Sequence, residues 1–318
     1  MNPQKLLDIL SWYGILLQIE TVQLLSGGKD NSTFSAYLDD GKRVIVQYMQ
    51  SIRDELHAEC IEKAVDFTIQ MDSSIGFVWK LENKKRFYPA EKWYIQLMNA
   101  SSGRTITEWD IDDNIVRSLA ERLGKFHKAT ESFDITLYKT VNYHRDRLSE
   151  FRILAEHFVH KSGRSDLLDL LSEYTKRMEH LHPVSWLRVW LIHGDPVFKN
   201  FLMDDDKNIV AWIDYDMMSI TTRLWDLADM YRGYTKMSNF WREQSSLLLT
   251  AYEKYNPLTP EEKNALPNYI RMMTLDTWYR YILALDEESG FSNAIGDSLE
   301  KAQRCIRDHD RVNMLMDI

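Results

Sequence analysis

The sequence predicts an α+β chain in two parts, a small antiparallel sheet over residues 1–99 and a mainly helical remainder over 100–318. Three observations predict it. Short β-prone runs separated by turn residues crowd the part before Asn99, and after it apolar residues recur mostly at helical spacing. Glycine and proline are few, 12 and 7 in 318 residues, so little interrupts the helices.

Taken in order, Thr21–Leu25, Ser32–Leu38 and Arg43–Met49 read as strands. The separators Ser26-Gly27-Gly28-Lys29-Asp30 and Asp39-Asp40-Gly41-Lys42 carry turn chemistry, which makes the three runs an antiparallel meander. Ile52–Gln70 follows as a helix with Leu56, Cys60, Ile61, Ala64, Val65 and Ile69 at helical spacing. Phe77–Glu82, Lys85–Pro89 and Lys92–Met98 read as further strands, with Glu82-Asn83-Lys84 as a turn. The small polar run Asn99-Ala100-Ser101-Ser102-Gly103 marks the boundary. Helices are expected at Asn114–Thr130, Leu148–Phe158 and Asp166–Leu181, then at Trp225–Tyr234, Ser238–Tyr255 and Pro260–Asp286. Between the two helical groups, Leu187–His193, Asn200–Met203 and Ile209–Ile213 are short apolar runs that suit small strands.

Composition bounds the function. With 44% hydrophobic and 27% charged residues, the chain has an ordinary globular balance and is long enough for two cores. A net charge of −9 argues against a nucleic-acid partner, since phosphate backbones select basic surfaces. Cys60 and Cys305 give no disulfide framework and read as small core residues. No apolar run of about 18 residues could span a membrane, and MNPQKLLDILSWYGI lacks the pattern of a signal peptide. The expectation is a soluble cytoplasmic protein with no membrane partner; its oligomeric state is not legible.

The chemistry concentrates in LIHGDPVFKNFLMDDDKNIVAWIDYDMMS. Asp195 follows an apolar run and precedes Pro196, so it stands on a loop at the end of a strand. Asn200 lies five residues on, and Asp214 ends the next apolar strand. Each residue alone is an ordinary turn, cap or strand-end residue. In this order they form the set phosphoryl transfer needs: one carboxylate for the proton of an attacking hydroxyl, and an amide and a second carboxylate for Mg²⁺. The spacing resembles H-R-D-x-x-x-x-N followed by D-F-G in protein kinases, with Gly194 in the place of the Arg and Asp214-Tyr215-Asp216 as the third motif. That substitution pattern resembles the kinase-like small-molecule phosphotransferases, namely the aminoglycoside phosphotransferase and choline kinase family.

The resemblance implies a protein-kinase-like bilobal fold that moves the γ-phosphoryl group of ATP or GTP, with Mg²⁺, to a small-molecule hydroxyl. It gives Asp195 the role of base, Asn200 and Asp214 that of metal ligands, and His193 and Asp226 that of supports for the catalytic loop. Asp216 stands either at the metal and acceptor or in solvent. The loop of Ser26, Gly27, Gly28 and Asn31 resembles the family's nucleotide loop. Backbone groups of Gln96 and Met98 would form the hinge that meets the base.

Gln47 departs from the pattern, because the third strand normally carries Lys or Arg for the α- and β-phosphates. The N-acetylhexosamine 1-kinase branch looks similar in having Gln in a comparable strand, and Glu59 on the next helix either faces Gln47 or lies on a solvated helix face. For the acceptor, Tyr231 in Asp226–Tyr234 and Trp278 and Tyr281 near Asp286, Glu287 and Glu288 supply aromatic and acidic groups suited to a cationic or sugar-like ligand, or else simply core. An aminoglycoside-like antibiotic or an amino alcohol is the first expectation and a sugar 1-kinase the second. A nucleotide-binding, pseudokinase-like module without turnover is the rival of another class, supported by Gln47 alone.

Overall fold

A five-stranded antiparallel sheet forms early in the chain, in the order β1-β2-β3-β5-β4. Its strands are β1 (Gln23–Gly27), β2 (Asn31–Tyr37), β3 (Arg43–Met49), β4 (Phe87–Ala90) and β5 (Trp93–Asn99). The computed structural model describes residues 3–27, 31–49, 52, 54–78, 80–82, 84–90, 93–138, 143–235, 242–286 and 298–316. Helix α1 (Pro3–Trp12) presents Leu6 and Leu10, one turn apart, to the sheet face bearing Val44, Val46, Ile95 and Leu97. Burial of that stripe fixes the register, since a slip by one residue would turn it to solvent.

The opposite face carries Ile45 and Met98, which pack with Val78, Ala211 and Ile213. Helix α2 (Glu55–Met71) starts at Asp54, whose carboxylate accepts from the His57 N–H at 2.8 Å. A second sheet of β6 (Arg104–Thr105), β8 (Phe201–Met203) and β9 (Ile209–Trp212) belongs to the same compact unit, which comprises Met1–Ile106 and Lys199–Met217.

The other unit, Thr107–Phe198 with Met218–Ile318, is mainly helical. It holds α3 (Asp113–Ala129), α4 (Tyr143–Ser162), α5 (Ser165–Met178), α6 (Leu224–Thr235), α7 (Arg242–Glu253), α8 (Pro260–Asp276), α9 (Trp278–Leu283) and α10 (Ser298–Met316). A short two-stranded sheet of β7 (Trp190–Ile192) and β10 (Ser219–Thr221) lies among them. Packing pairs α3 with α7, α6 with α8, and α10 with α8 and α9.

The α+β class is as expected, several elements differ, and the short strands β6 and β10 were not among those anticipated. The described residues of Phe77–Glu82 form no strand: Phe77 makes an isolated bridge to Trp212, and Lys80 turns to the acids of α2. Pro260–Asp286 is two helices, because α8 ends in a C-cap at Thr277. Helices α1 and α10 were not anticipated. In α10 the buried positions Ala302, Cys305, Ile306, His309 and Val312 do keep helical spacing, but the charged residues between them mask it. Both cysteines are free and buried.

Candidate active site

In the sheet-bearing unit, pairing of β8 with β9 sets Phe201 opposite Trp212, and the Ile213 N–H donates to the Asn200 carbonyl at 2.9 Å. Asn200 and Asp214 therefore leave adjacent strands at the same level. Asp214 has φ +69°, a left-handed conformation that is uncommon away from glycine. Asn200 and Asp216 are buried, and Asp216 follows the fully buried Tyr215. An amide oxygen and a carboxylate are hard donors, and no group of three His, Cys, Asp or Glu side chains gathers among the described residues. Such a pair fits a cation that completes its shell with water and phosphate oxygens, which is the habit of Mg²⁺ rather than of a caged metal.

The nucleotide side of the prediction falls on the first sheet. Ser26 and Gly27 of β1 pair with Thr33 and Ser32 of β2, and Asn31 opens β2 opposite Met49. Gly28 lies outside the described residues. Gln47 stands between Thr33 and Gln96, on the face that also carries Ile45 and Met98. The Gln96 side chain is fully buried, and neither of its amide atoms has a hydrogen-bond partner among the described residues. As a hinge residue Gln96 needs correction. Its backbone lies within ladders on both edges, to Gln47 on β3 and to Phe87 on β4, so it has no free edge for a base. Met98 lies beyond the end of β4 and pairs with Ile45 on the other side.

Glu59 is also corrected. Its side chain is 55% exposed and 3.9 Å from Lys63, one turn along the same helix. The inward face of α2 carries His57, Cys60, Ile61 and Ala64 instead. The helix acids that are held, Glu62 and Asp66, grip Lys80 at 2.7 and 2.6 Å. The strand cation is absent at Gln47, and the carboxylates of α2 have taken another partner.

In the helical unit, β7 leads into His193, Gly194 and Asp195. Gly194 has φ +86°, a conformation that favours glycine and accounts for the missing Arg of the kinase pattern. Asp226 in the first turn of α6 accepts from the His193 and Gly194 N–H groups at 2.8 and 2.7 Å, and lies 3.1 Å from His127 Nε2. Burial opposes the charge on Asp226, yet the His127 hydrogen bond, the neighbouring His193 and the Gly194 N–H together hold its pKa low. Burial lowers the pKa of His127 despite Asp226. A neutral imidazole that donates from Nε2 and accepts at Nδ1 from the Tyr252 hydroxyl, 2.8 Å away, satisfies every partner. His193 is fully buried, and its Nδ1 accepts from the Asp195 N–H at 3.4 Å, a prop rather than a base.

Asp195 has two neighbours that the sequence reading missed. Arg232 Nη2 is 3.9 Å from its Oδ1, and Arg232 Nε donates to Asp229 at 2.6 Å. Burial and then the Asp229 carboxylate push the Asp195 pKa up to about 6, against the opposing pull of Arg232 and His193. Asp226, Asp229 and Arg232 recur at intervals of three on one helix, which was the signal available. Tyr231 and Trp278, considered for the acceptor, are interior instead. The Tyr231 hydroxyl donates to the Ser245 carbonyl at 2.8 Å, and Trp278 stacks on Tyr174 at 4.4 Å. Tyr281 is half-buried, and Glu287 and Glu288 lie outside the described residues.

A sequence model described as "phosphotransferase enzyme family" matches residues 21–262. No protein of curated function matches the chain in sequence. Among solved structures, an amicoumacin kinase in complex with AMP-PNP, Ca²⁺ and Ami is similar with a TM-score of 0.69 at 16% identity, covering 97% of this chain and 93% of that one. An aminoglycoside phosphotransferase from Alicyclobacillus acidocaldarius gives 0.66 at 15%, covering 99% and 95%. An ethanolamine kinase from Plasmodium vivax gives 0.60 at 12%, covering 92% and 82%. At these identities the likeness is one of fold.

Proposed function

The chain belongs to the phosphotransferase enzyme family, and on that premise we propose that it transfers the γ-phosphoryl group of ATP to a hydroxyl of a small, amine-bearing molecule. The observation that supports the reading is the β8–β9 pairing, with its backbone bond from Ile213 to Asn200, which brings the chain at Asn200 next to the chain leading into Asp214. Asp195 orients the acceptor hydroxyl and takes its proton as the new O–P bond forms and the bond to the β-phosphate oxygen breaks, releasing ADP. Asn200 and Asp214 would hold Mg²⁺, which neutralises charge on the phosphates when bound. The Ser26–Asn31 loop supplies backbone N–H groups, and Gln47 supplies an uncharged donor, to the same phosphates.

Support for an amine on the acceptor comes from the Asp229 carboxylate beside Asp195 and from the net charge of −9. The ethanolamine kinase of the same fold is named for an amine-bearing compound, which points the same way. A reaction that consumes ATP belongs in the cytoplasm.

The test is Mg²⁺-dependent nucleotide consumption across a panel of aminoglycosides, amino alcohols and N-acetylhexosamines, with ATP and GTP compared and the product identified by mass. Phosphorylation of an amine-bearing acceptor from ATP is expected. Binding of Mg-nucleotide with no consumption on any acceptor would favour a binding module, and phosphorylation confined to the hexosamines would favour a sugar 1-kinase.

A further inference from the structure

Asp214 holds its left-handed backbone beside the Tyr215 hydroxyl and the Arg86 side chain, neither of which has a part in the phosphotransfer chemistry described above. The hydroxyl of Tyr215 accepts from the Val78 N–H at 2.7 Å and donates to the Trp212 carbonyl. That one oxygen therefore links the end of β9 to the segment following α2. The Tyr215 ring packs against Phe77 at 4.8 Å between centroids, and Phe77 packs in turn on Trp212 at 5.1 Å. On the ring's other contact lies the Arg86 guanidinium, 5.7 Å from the centroid and fully buried. Arg86 donates to the Val78 carbonyl at 3.1 Å and stands 3.6 Å from the Asp66 carboxylate of α2. Val78 is thus held through its N–H by Tyr215 and through its carbonyl by Arg86.

We propose that the Tyr215 hydroxyl and Arg86 act as positioning residues that hold Asp214 in metal-binding geometry and tie it to α2. Protein kinases tie their corresponding helix to the third strand through a lysine–glutamate pair. This chain has Gln47 on that strand, and its helix acids face Lys80 and Arg86. The coupling of helix to metal strand has moved to the Arg86–Val78–Tyr215 cluster. A phenylalanine at 215 would keep the ring contacts but leave the Val78 N–H and the Trp212 carbonyl without this partner. Asp214 would then be free to relax from its uncommon conformation.

The inference rests on the metal role proposed for Asp214, and the experiment separates the two. Affinity for a non-hydrolysable ATP analogue is measured for wild type, Tyr215→Phe and Arg86→Lys, without metal and across a Mg²⁺ series, with far-UV circular dichroism checking the fold. In Tyr215→Phe the Mg²⁺ concentration for half-maximal effect is expected to rise about 10-fold, as for loss of an outer-shell partner, while metal-free affinity stays within about twofold. Arg86→Lys keeps the charge but loses the forked reach, and should shift the same quantity in the same direction even if Tyr215→Phe fails to fold. Mg²⁺ dependence equal to wild type in the folded variants overturns the positioning role while leaving the metal site standing. Analogue binding by wild type that ignores Mg²⁺ overturns the metal site and this inference together.

Discussion

Three charged side chains meet at Asp195, and their balance sets the working pH. Asp229 raises the pKa of the base and Arg232 lowers it, with burial placing it at about 6. A base acts only when deprotonated, so kcat/KM should fall as the pH drops through about 6. Replacing Asp229 with Asn removes a like charge and frees Arg232 to face Asp195. The acid limb of the profile should then move to lower pH, and a limb that stays in place would show that Asp229 does not act on the base. Gln47 is the other decisive residue. A hydrogen bond from an uncharged amide to a charged phosphate is worth about 1.5–3 kcal/mol, so Gln47→Ala should raise the nucleotide KM by roughly tenfold or more with a smaller effect on kcat. An unchanged nucleotide KM would mean that a different group meets the phosphates.

At the scale of elements, helix α6 organises the catalytic loop through Asp226. One carboxylate takes the His193 and Gly194 N–H groups and sits against His127, all in the buried interior. Asn at 226 would set an amide N–H against one of these donors, so Asp226→Asn should cost on the order of 3 kcal/mol. Denaturant unfolding measures this; an unchanged midpoint would show that the loop holds itself. This support was legible through the family resemblance, which implies a prop at Asp226; the acid's place at the start of a helix alone suggests only a cap for that helix. Strand β3 was legible over its full span because Arg43–Met49 lies between clear turn residues. Phe77–Glu82 was not, because its short apolar run looks the same whether it pairs in a sheet or packs against β9. Gln96 was misread for a related reason: sequence places it near the end of a strand but does not show which edges of that strand are covered. The Lys80 clasp on Glu62 and Asp66 joins residues 14 to 18 positions apart, and periodicity on α2 alone gives no sign of it.

For the molecule as a whole, the motif names the reaction more firmly than the acceptor. The family match runs from residue 21 to 262 and includes both Gln47 and the Asp195–Asp214 segment. Two of the three aromatic residues offered for the acceptor, Tyr231 and Trp278, are spent on the core of the helical unit, and Tyr281 is half-buried. No described helix is long and apolar enough to cross a membrane. The central claim is that Asp195 serves as the base in transfer of phosphate to a hydroxyl. The most direct measurement compares wild type with Asp195→Asn in transfer of a labelled γ-phosphate to the acceptor identified by the panel, with Mg-nucleotide affinity measured on the same preparations. The expected result is a loss of transfer of about 10²- to 10⁴-fold with nucleotide affinity nearly unchanged. Undiminished transfer by Asp195→Asn would contradict the account.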